Sequence, residues 1–271
     1  MTMRFILTAF AALFLAACGG GGGGGDSVTP AAKTMKLSLY GQPLVSASPA
    51  TAHAQIVALD ASTPVAASGA SASVQALSDA LAARGVPADV TAQVMDGTTL
   101  HQIVMGENNG LPPTPDQFKT DPSGYLVVNF QLDDMVTPST DPIQAAAVTQ
   151  FAQDMTVFSQ RATVSGKLVY AVMPLPNCND PADSARNALI SAIAQARSGT
   201  LLNTMGGIVF CNGSHDACIA SNGAAYRGAD CSTSNPDLES MRTNSIADYI
   251  AALYKDASAP AAASGASATG T

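Results

Sequence analysis

Short apolar runs alternate along this chain with stretches whose apolar residues recur at helical spacing, and that alternation narrows the fold more than any other feature. Lys36 to Tyr40 reads as a first strand. Val74, Leu77, Leu81 and the alanines between them fit one face of a helix, stopped by Gly85 and Pro87. Ala88 to Met95 is a second strand, and Tyr125 to Leu132 is a third, strongly apolar one. Ile143, Ala147, Phe151, Met155 and Phe158 mark one side of the next helix. Leu168 to Met173 is a fourth strand, ended by Pro174 and Pro176. Asp183 is placed to cap a helix carrying Leu189 and Ile193. Thr204 to Phe210 is a fifth strand, and Ile246, Ile250 and Leu253 mark a last helix. Strands alternating with helices predict a parallel sheet covered on both faces. Ligands of such sheets sit beyond the carboxyl ends of the strands. That places the expected site around Gly41, Gly97, Gln131, Pro174 and Cys211.

The two ends of the 271-residue chain are of low complexity. Residues 19–35 are Gly-rich and polar, a linker by composition. Residues 257–271 hold Ala, Ser, Gly, Pro and Thr, cannot build a core, and are expected to be a disordered tail. Setting these aside leaves about 220 residues, enough for one domain with a sizeable core, over 36–256. Within it, the Ala/Ser-rich stretch 46–73 reads as a long connection with one short ordered piece around Gln55 to Leu59, because Pro49, Pro64 and Gly69 oppose a long helix. Net charge is −8 with 12% charged residues, so the basic footprint of a nucleic-acid binder is absent.

The N-terminus carries one charge, Arg4, then an apolar run from Phe5 to Ala17 that is too short to span a bilayer. It closes on Leu15-Ala16-Ala17-Cys18, followed by seven glycines, Gly19 to Gly25. This arrangement resembles the lipobox of bacterial lipoproteins. The resemblance implies a signal peptide over 1–17, cleavage before Cys18, lipidation of that cysteine, and a bacterial cell-envelope location, as an outer-membrane lipoprotein. An ordinary cleaved signal and an uncleaved apolar N-terminus remain alternatives. With an acidic chain, the expected membrane link is the acyl chains alone. The other four cysteines, Cys178, Cys211, Cys218 and Cys231, are an even number in an exported chain and favour two disulfides. Cys178 and Cys211 follow strands expected to be neighbours, so the expected pairs are Cys178–Cys211 and Cys218–Cys231, with the other pairings open. Their spacing is not that of paired CxxC zinc ligands, and no metal or cofactor is expected.

The strand ends resemble the SGNH/GDSL hydrolase family of esterases and lipases over most of residues 36–254. The first strand ends Leu39-Tyr40-Gly41-Gln42-Pro43-Leu44, which is similar to Gly-Asp-Ser-Leu with glutamine for aspartate and proline for serine. Val94-Met95-Asp96-Gly97-Thr98-Thr99 is similar to the second block and keeps its glycine. Leu126 to Asp134 is similar to the third, which normally ends Gly-x-Asn-Asp; Gln131 replaces the glycine and Asp133 the asparagine. Val169 to Pro174 is similar to the fourth strand. Pro236 to Met241 stands before the last helix, where Asp-x-x-His would lie. One register puts Leu238 and Met241 at the aspartate and histidine positions; the other keeps Asp237 and puts Ser240 in place of histidine. The resemblance implies a three-layer α/β/α sandwich with a mainly parallel, five-stranded, flavodoxin-like sheet.

The chemistry that the resemblance would imply lacks its parts. Acyl transfer needs a nucleophilic oxygen, a base and oxyanion donors. Pro43 has no nucleophile, an ionised Asp133 repels an oxyanion, and neither Met241 nor Ser240 is a base. Gly97 alone retains a backbone N–H for the role. Ser38, Ser46 and Ser48 lie near the first motif but off its spacing. The expectation is therefore a catalytically silent, binding or structural domain, with a glycan, lipid or peptide as the ligand class for the crevice. The alternative is an active esterase with a rearranged catalytic set that includes His101 or His215. His53 reads as a solvated loop residue; His101 could face the crevice but reads as an ordinary surface or helix residue, because the sequence identifies no partner for it. His215 sits in Ser214-His215-Asp216, where adjacent residues cannot readily turn toward one another. Asp133 and Asp134, as neighbours on an extended chain, point opposite ways, so no metal is assigned to them. The run Gly19 to Gly25 lacks the Lys-Ser/Thr of a phosphate-binding loop.

Overall fold

Five strands pair in parallel in the order β2-β1-β3-β4-β5. They are β1 (Met35–Gly41), β2 (Ala88–Val94), β3 (Tyr125–Asn129), β4 (Leu168–Val172) and β5 (Leu202–Met205). This is the doubly wound, flavodoxin-like order, with its switch point between β1 and β3. The computed structural model describes residues 33–46, 68–108, 114, 116–135, 137–175, 184–206, 208–210, 217–219 and 236–258. All lie within one compact unit, Lys33–Thr271. Cys18, Cys178, Cys211, Cys231, His53, Asp183, Ser48 and His215 lie outside the described residues, and Cys218 is described only as part of a strand. No helix among the described residues is long and apolar enough to cross a membrane.

The central strands β1, β3 and β4 are buried on both faces, and their side chains divide with period two. Leu37 and Leu39, Val127, and Tyr170 and Val172 point to one layer. There they meet Leu77 and Leu81 of α1 (Gly69–Ala82) and Ile246 and Ile250 of α5 (Pro236–Ser258). Tyr40, Leu126, Val128, Val169 and Ala171 point to the other. That layer is filled by α2 (Leu100–Met105), α3 (Pro142–Val164) and α4 (Ser184–Arg197), with Ile103, Phe158, Leu189 and Ile193 at its centre. Phe158 is the hub of an edge-to-face aromatic group, with ring centroids 5.0 Å from Phe118, 5.4 Å from Phe130 and 5.7 Å from Tyr40.

Several elements differ from the sequence reading. The expected strand Thr204–Phe210 is two strands. The chain leaves the sheet after β5 at Gly206, whose φ of 68° favours glycine. A Cβ there would lie 2.6 Å from Ile246 Cγ1. Beyond it, β6 (Ile208–Phe210) pairs in parallel with β7 (Ala217–Ile219) in a separate sheet. The connection expected over 46–73 gives way to α1 at Gly69, because Ser68 caps the helix by accepting from Ser71 N–H. β3 stops at Asn129 rather than Leu132. Pro236 to Met241 form the first turns of α5 instead of preceding it, and α5 runs to Ser258, past the expected domain end at 256. Finally, Ile143 and Ala147 do not face the core: both are exposed, Ile143 at 83%. The buried residue of that first turn is Gln144, whose Nε2 donates to Asp134 O at 2.6 Å.

Candidate functional site

The carboxyl ends of β1 and β3 come together through glycine. Gly41 has φ 90°, and a Cβ on it would sit 2.5 Å from Asn129 O. Gln42 N–H donates to that same oxygen at 2.8 Å. Asn129, buried at the end of β3, returns the contact: its Nδ2 donates to Gln42 O at 2.7 Å and to Pro43 O at 3.2 Å. Arg242 of α5 completes the arrangement. It is 3% exposed, and its Nη2 donates to Asn129 Oδ1 at 2.7 Å and to Met173 O at 3.1 Å. The ends of β1, β3 and β4 are thus joined to α5 by one guanidinium and one amide.

The loop after β1 is also strapped down on its other side. Leu44 N–H and Val45 N–H donate to Ser73 Oγ at 2.8 and 3.3 Å. Ser46 gives both its N–H and its hydroxyl to Glu239 Oε1, at 3.0 and 2.6 Å. Pro43 packs so close to α1 that its Cγ is 2.9 Å from where a Cβ on Gly69 would stand. Ser38, buried within β1, bonds Asp121 instead. Of the late residues, Leu238 is buried, Met241 is half-buried, and Asp237 and Ser240 are exposed. Ser240 lines a different groove, between α1 and α5, of about 560 Å³.

The loop after β2 leads elsewhere. Asp96 Oδ1 accepts from Thr98 N–H and hydroxyl, an Asx turn that aims the chain past an exposed Gly97 with φ 93°. Thr99 then caps α2 in a capping box with Gln102, and Gly106 ends the helix in the left-handed conformation. This six-residue helix carries His101, half-exposed, whose Nδ1 lies 3.0 Å from Asp154 Oδ2 on α3. Asp154 is 5% exposed and also accepts from Gln150 Nε2 at 3.2 Å. In the Nδ1–H tautomer the ring donates to that carboxylate.

His101 and Asp154 line an open groove of about 570 Å³, with Gln131, Asp133, Gln150 and Phe151 among its walls. The structure therefore brings His101 and Asp133 to one groove. Pro43, Gly97 and Met241 do not line it. Among the described residues, none of those lining the groove is Lys or Arg. The side-chain nitrogens of Gln131, Gln144 and Gln150 are each directed at acceptors of the protein itself, at 3.5, 2.6 and 3.2 Å. The lining also includes the Asp133 carboxylate and the hydroxyl side chains of Thr99 and Thr137, and each glutamine –NH2 keeps a second N–H. Among the described residues, no three of His, Cys, Asp or Glu are placed to hold a metal ion.

Sequence reasoning left His101 without a partner and passed over Asp154 and Arg242. A signal existed for each. Asp154 interrupts the apolar face of Phe151, Met155 and Phe158, and Arg242 stands in the four-residue ladder Leu238, Arg242, Ile246, Ile250.

No protein-family model matches the chain, and no curated protein matches it. Among solved structures it is similar to a candidate SGNH hydrolase from Slackia heliotrinireducens, at 14% identity, over 80% of this chain and 100% of that one, with a TM-score of 0.48. It is similar to TesA at 15% identity, over 80% and 97%, with a TM-score of 0.44. It is similar to the psychrotrophic esterase EstA from Pseudoalteromonas sp., a structure inhibited by monoethylphosphonate, at 11% identity, over 79% and 98%, with a TM-score of 0.47. The fold class of this chain stands on its own strand order, a mainly parallel five-stranded α/β sheet; these likenesses assign no activity and no residue role to it.

Proposed function

We propose that this chain is a lipid-anchored envelope protein whose SGNH-hydrolase-like domain binds a ligand without hydrolysing it. The observation that carries the reading is the closed end of β1. Where the family resemblance would have a serine, Pro43 packs against α1, and its carbonyl accepts from Asn129, which Arg242 holds in turn. Proline there supplies neither a nucleophile nor a backbone donor.

Catalytic silence is the expected result. Short-chain p-nitrophenyl esters and acetylated sugars should be turned over no faster than by a heat-denatured control, and fluorophosphonate probes should label no serine. Pro43→Ser should not create an esterase, because base and oxyanion donors act as a unit with the nucleophile. Saturable turnover that survives repurification would sink the reading. It would favour the second one, a hydrolase with a rearranged set, whose support is the 3.0 Å His101–Asp154 contact.

Membrane attachment rests on the sequence from Arg4 to Cys18 and on the glycine leash after it. Mass spectrometry of the membrane-extracted protein should find a diacyl- or triacyl-Cys18 as the mature N-terminus, and Cys18→Ser should move the protein out of the membrane fraction. A mature N-terminus at any other residue would overturn the anchor.

A further inference from the structure

We infer that the end of the domain where the strands begin is a face that rests on an anionic phospholipid surface. The inference deepens the lipid-anchored reading above and rests on it. Topology assembles that face. The strands start side by side, with Met35 opposite Ala88, Leu37 opposite Tyr125 and Tyr125 opposite Leu168. All five strands are parallel, so α1, α3 and α4 carry the chain back and finish at this same end. The short helix α2 points the same way: His101 stands beside Asp154 in the middle of α3, and Val104 O accepts from Arg161 in the last turn of α3. So does α5, which runs from Arg242 at the finish of β3 down to Tyr249, whose ring meets that of Tyr170.

Three observations meet there. The first is apolar. Met105 ends α2, Val164 ends α3 and Leu201 leads into β5, and they are 52%, 74% and 58% exposed. The helix α3 packs against both α2 and α4, so the three stand across neighbouring helix ends. The second is charge. The chain is acidic, but its charges are sorted. The exposed cations among the described residues are Lys33, Lys36, Lys119, Arg197 and Lys255, all on strand starts, helix ends or the turn into β3. The exposed acids near them are Asp89, Glu107, Asp116 and Asp256. The opposite end exposes Asp96, Asp133, Asp134 and Asp237 and, among the described residues, no exposed cation. An anionic surface repels that end and accepts the other. The third is the point of attachment. Lys33, 15 residues after Cys18, is where the segment from the proposed anchor joins the domain, so a membrane tether pulls on this end and not on the crevice.

The sequence contains no Trp, so one introduced Trp is a unique reporter. The control position is Ile143, 83% exposed at the start of α3 and about 31 Å from Val164 along the helix. Membrane-extracted protein carrying Val164→Trp, Leu201→Trp or Ile143→Trp is reconstituted in vesicles of phosphatidylglycerol and phosphatidylethanolamine with brominated acyl chains, which quench an indole that reaches them. Quenching in Val164→Trp and Leu201→Trp should exceed that in Ile143→Trp by at least about three-fold. Adding Lys36→Gln and Arg197→Gln should lower the Leu201→Trp quenching about two-fold on these vesicles and leave it unchanged on phosphatidylcholine alone. Equal quenching at the three positions, or none, overturns the face. A blue-shifted but unquenched signal from Val164→Trp or Leu201→Trp would mean that a second copy covers it, and overturns it too. The anchor is read separately, from the mass of the Cys18 peptide in the same preparation. If Cys18 carries no acyl group, the same three variants with a hexahistidine tag in place of residues 1–18, held on nickel-chelating lipid, decide the face by itself.

Discussion

Replacing Asp121 by alanine is expected to cost about 3–5 kcal/mol of folding stability. Its carboxylate accepts the Ser38 hydroxyl at 2.9 Å, the Tyr40 hydroxyl at 2.9 Å and the Ser123 N–H at 2.8 Å. Ser38 and Tyr40 are wholly buried, so alanine would leave the Tyr40 hydroxyl without its acceptor and the Ser38 hydroxyl with Thr91 Oγ1, at 3.2 Å, in place of a carboxylate. Lys167 Nζ holds the same turn through the carbonyls of Asp121 and Ser123, at 2.6 and 2.7 Å. The cluster therefore ties the middle of β1 to the entrances of β3 and β4. Burial raises the Asp121 pKa, but the donors from Ser123, Tyr40 and Ser38 outweigh it and hold the carboxyl below its ordinary 3.8. Burial, and then the Asp121 charge, pushes the Tyr40 hydroxyl far above its usual range, so it stays a donor.

The direction of the Asp121 shift fixes a pH dependence. A carboxylate whose folded-state pKa is depressed stabilises the fold fully above its unfolded value. That contribution drains as pH falls through the ordinary range toward the folded value. Asp121→Asn keeps the shape but not the charge. The stability gap between wild type and Asp121→Asn should therefore be largest near pH 7 and shrink on going to pH 3, read from urea unfolding at each pH. A gap that is the same at both pH values would mean that the charge plays no part.

The middle of the sheet was legible because β1, β3 and β4 are buried on both faces and read as apolar runs: Leu37 to Tyr40 apart from Ser38, Leu126 to Val128, Val169 to Val172. Four helices were legible: α1 and α4 through Leu77 and Leu81, Leu189 and Ile193, α3 through Phe151, Met155 and Phe158, and α5 through Ile246 and Ile250. What stayed hidden is short or long-range. The helix α2 has six residues, too few to show a period, and only the Thr99 capping box and Gly106 mark it. The turn around Phe118 has no period at all, yet Phe118 is fully buried in the aromatic group. The partners that decide the site are far apart in sequence: Ser38 and Asp121, His101 and Asp154, Asn129 and Arg242. No local pattern pairs them, because tertiary packing alone brings those helices and strands together. The break at Gly206 was hidden for a related reason. A glycine inside an apolar run signals a bend only when something stands where its Cβ would go, and here that is Ile246 of α5.

Arg242→Ala is expected to be the other severe change, costing about 3–5 kcal/mol, and its effect should be shared with Asn129. The guanidinium donates to Asn129 Oδ1 and Met173 O in a space where Arg242 and Asn129 are 3% and 2% exposed. Alanine removes a charged donor from both acceptors and leaves a void the size of an arginine side chain. Arg242→Met fills most of that volume without the donors, so it should recover the packing part of the loss and not the rest. Asn129 is the second half of one unit, since its Nδ2 holds the carbonyls of Gln42 and Pro43. A double-mutant cycle of Arg242→Met with Asn129→Ala should therefore return a coupling energy of about 1–3 kcal/mol. Additive losses would mean that the two act separately and that the end of β1 is held by something else. The same cycle bears on function. If Arg242 and Asn129 hold Pro43 in place as a filled crevice, loosening them should lower stability without giving any ester turnover, because an opened crevice would still lack a nucleophile, a base and oxyanion donors. Turnover appearing in Arg242→Met would instead show a masked hydrolase beneath the arginine.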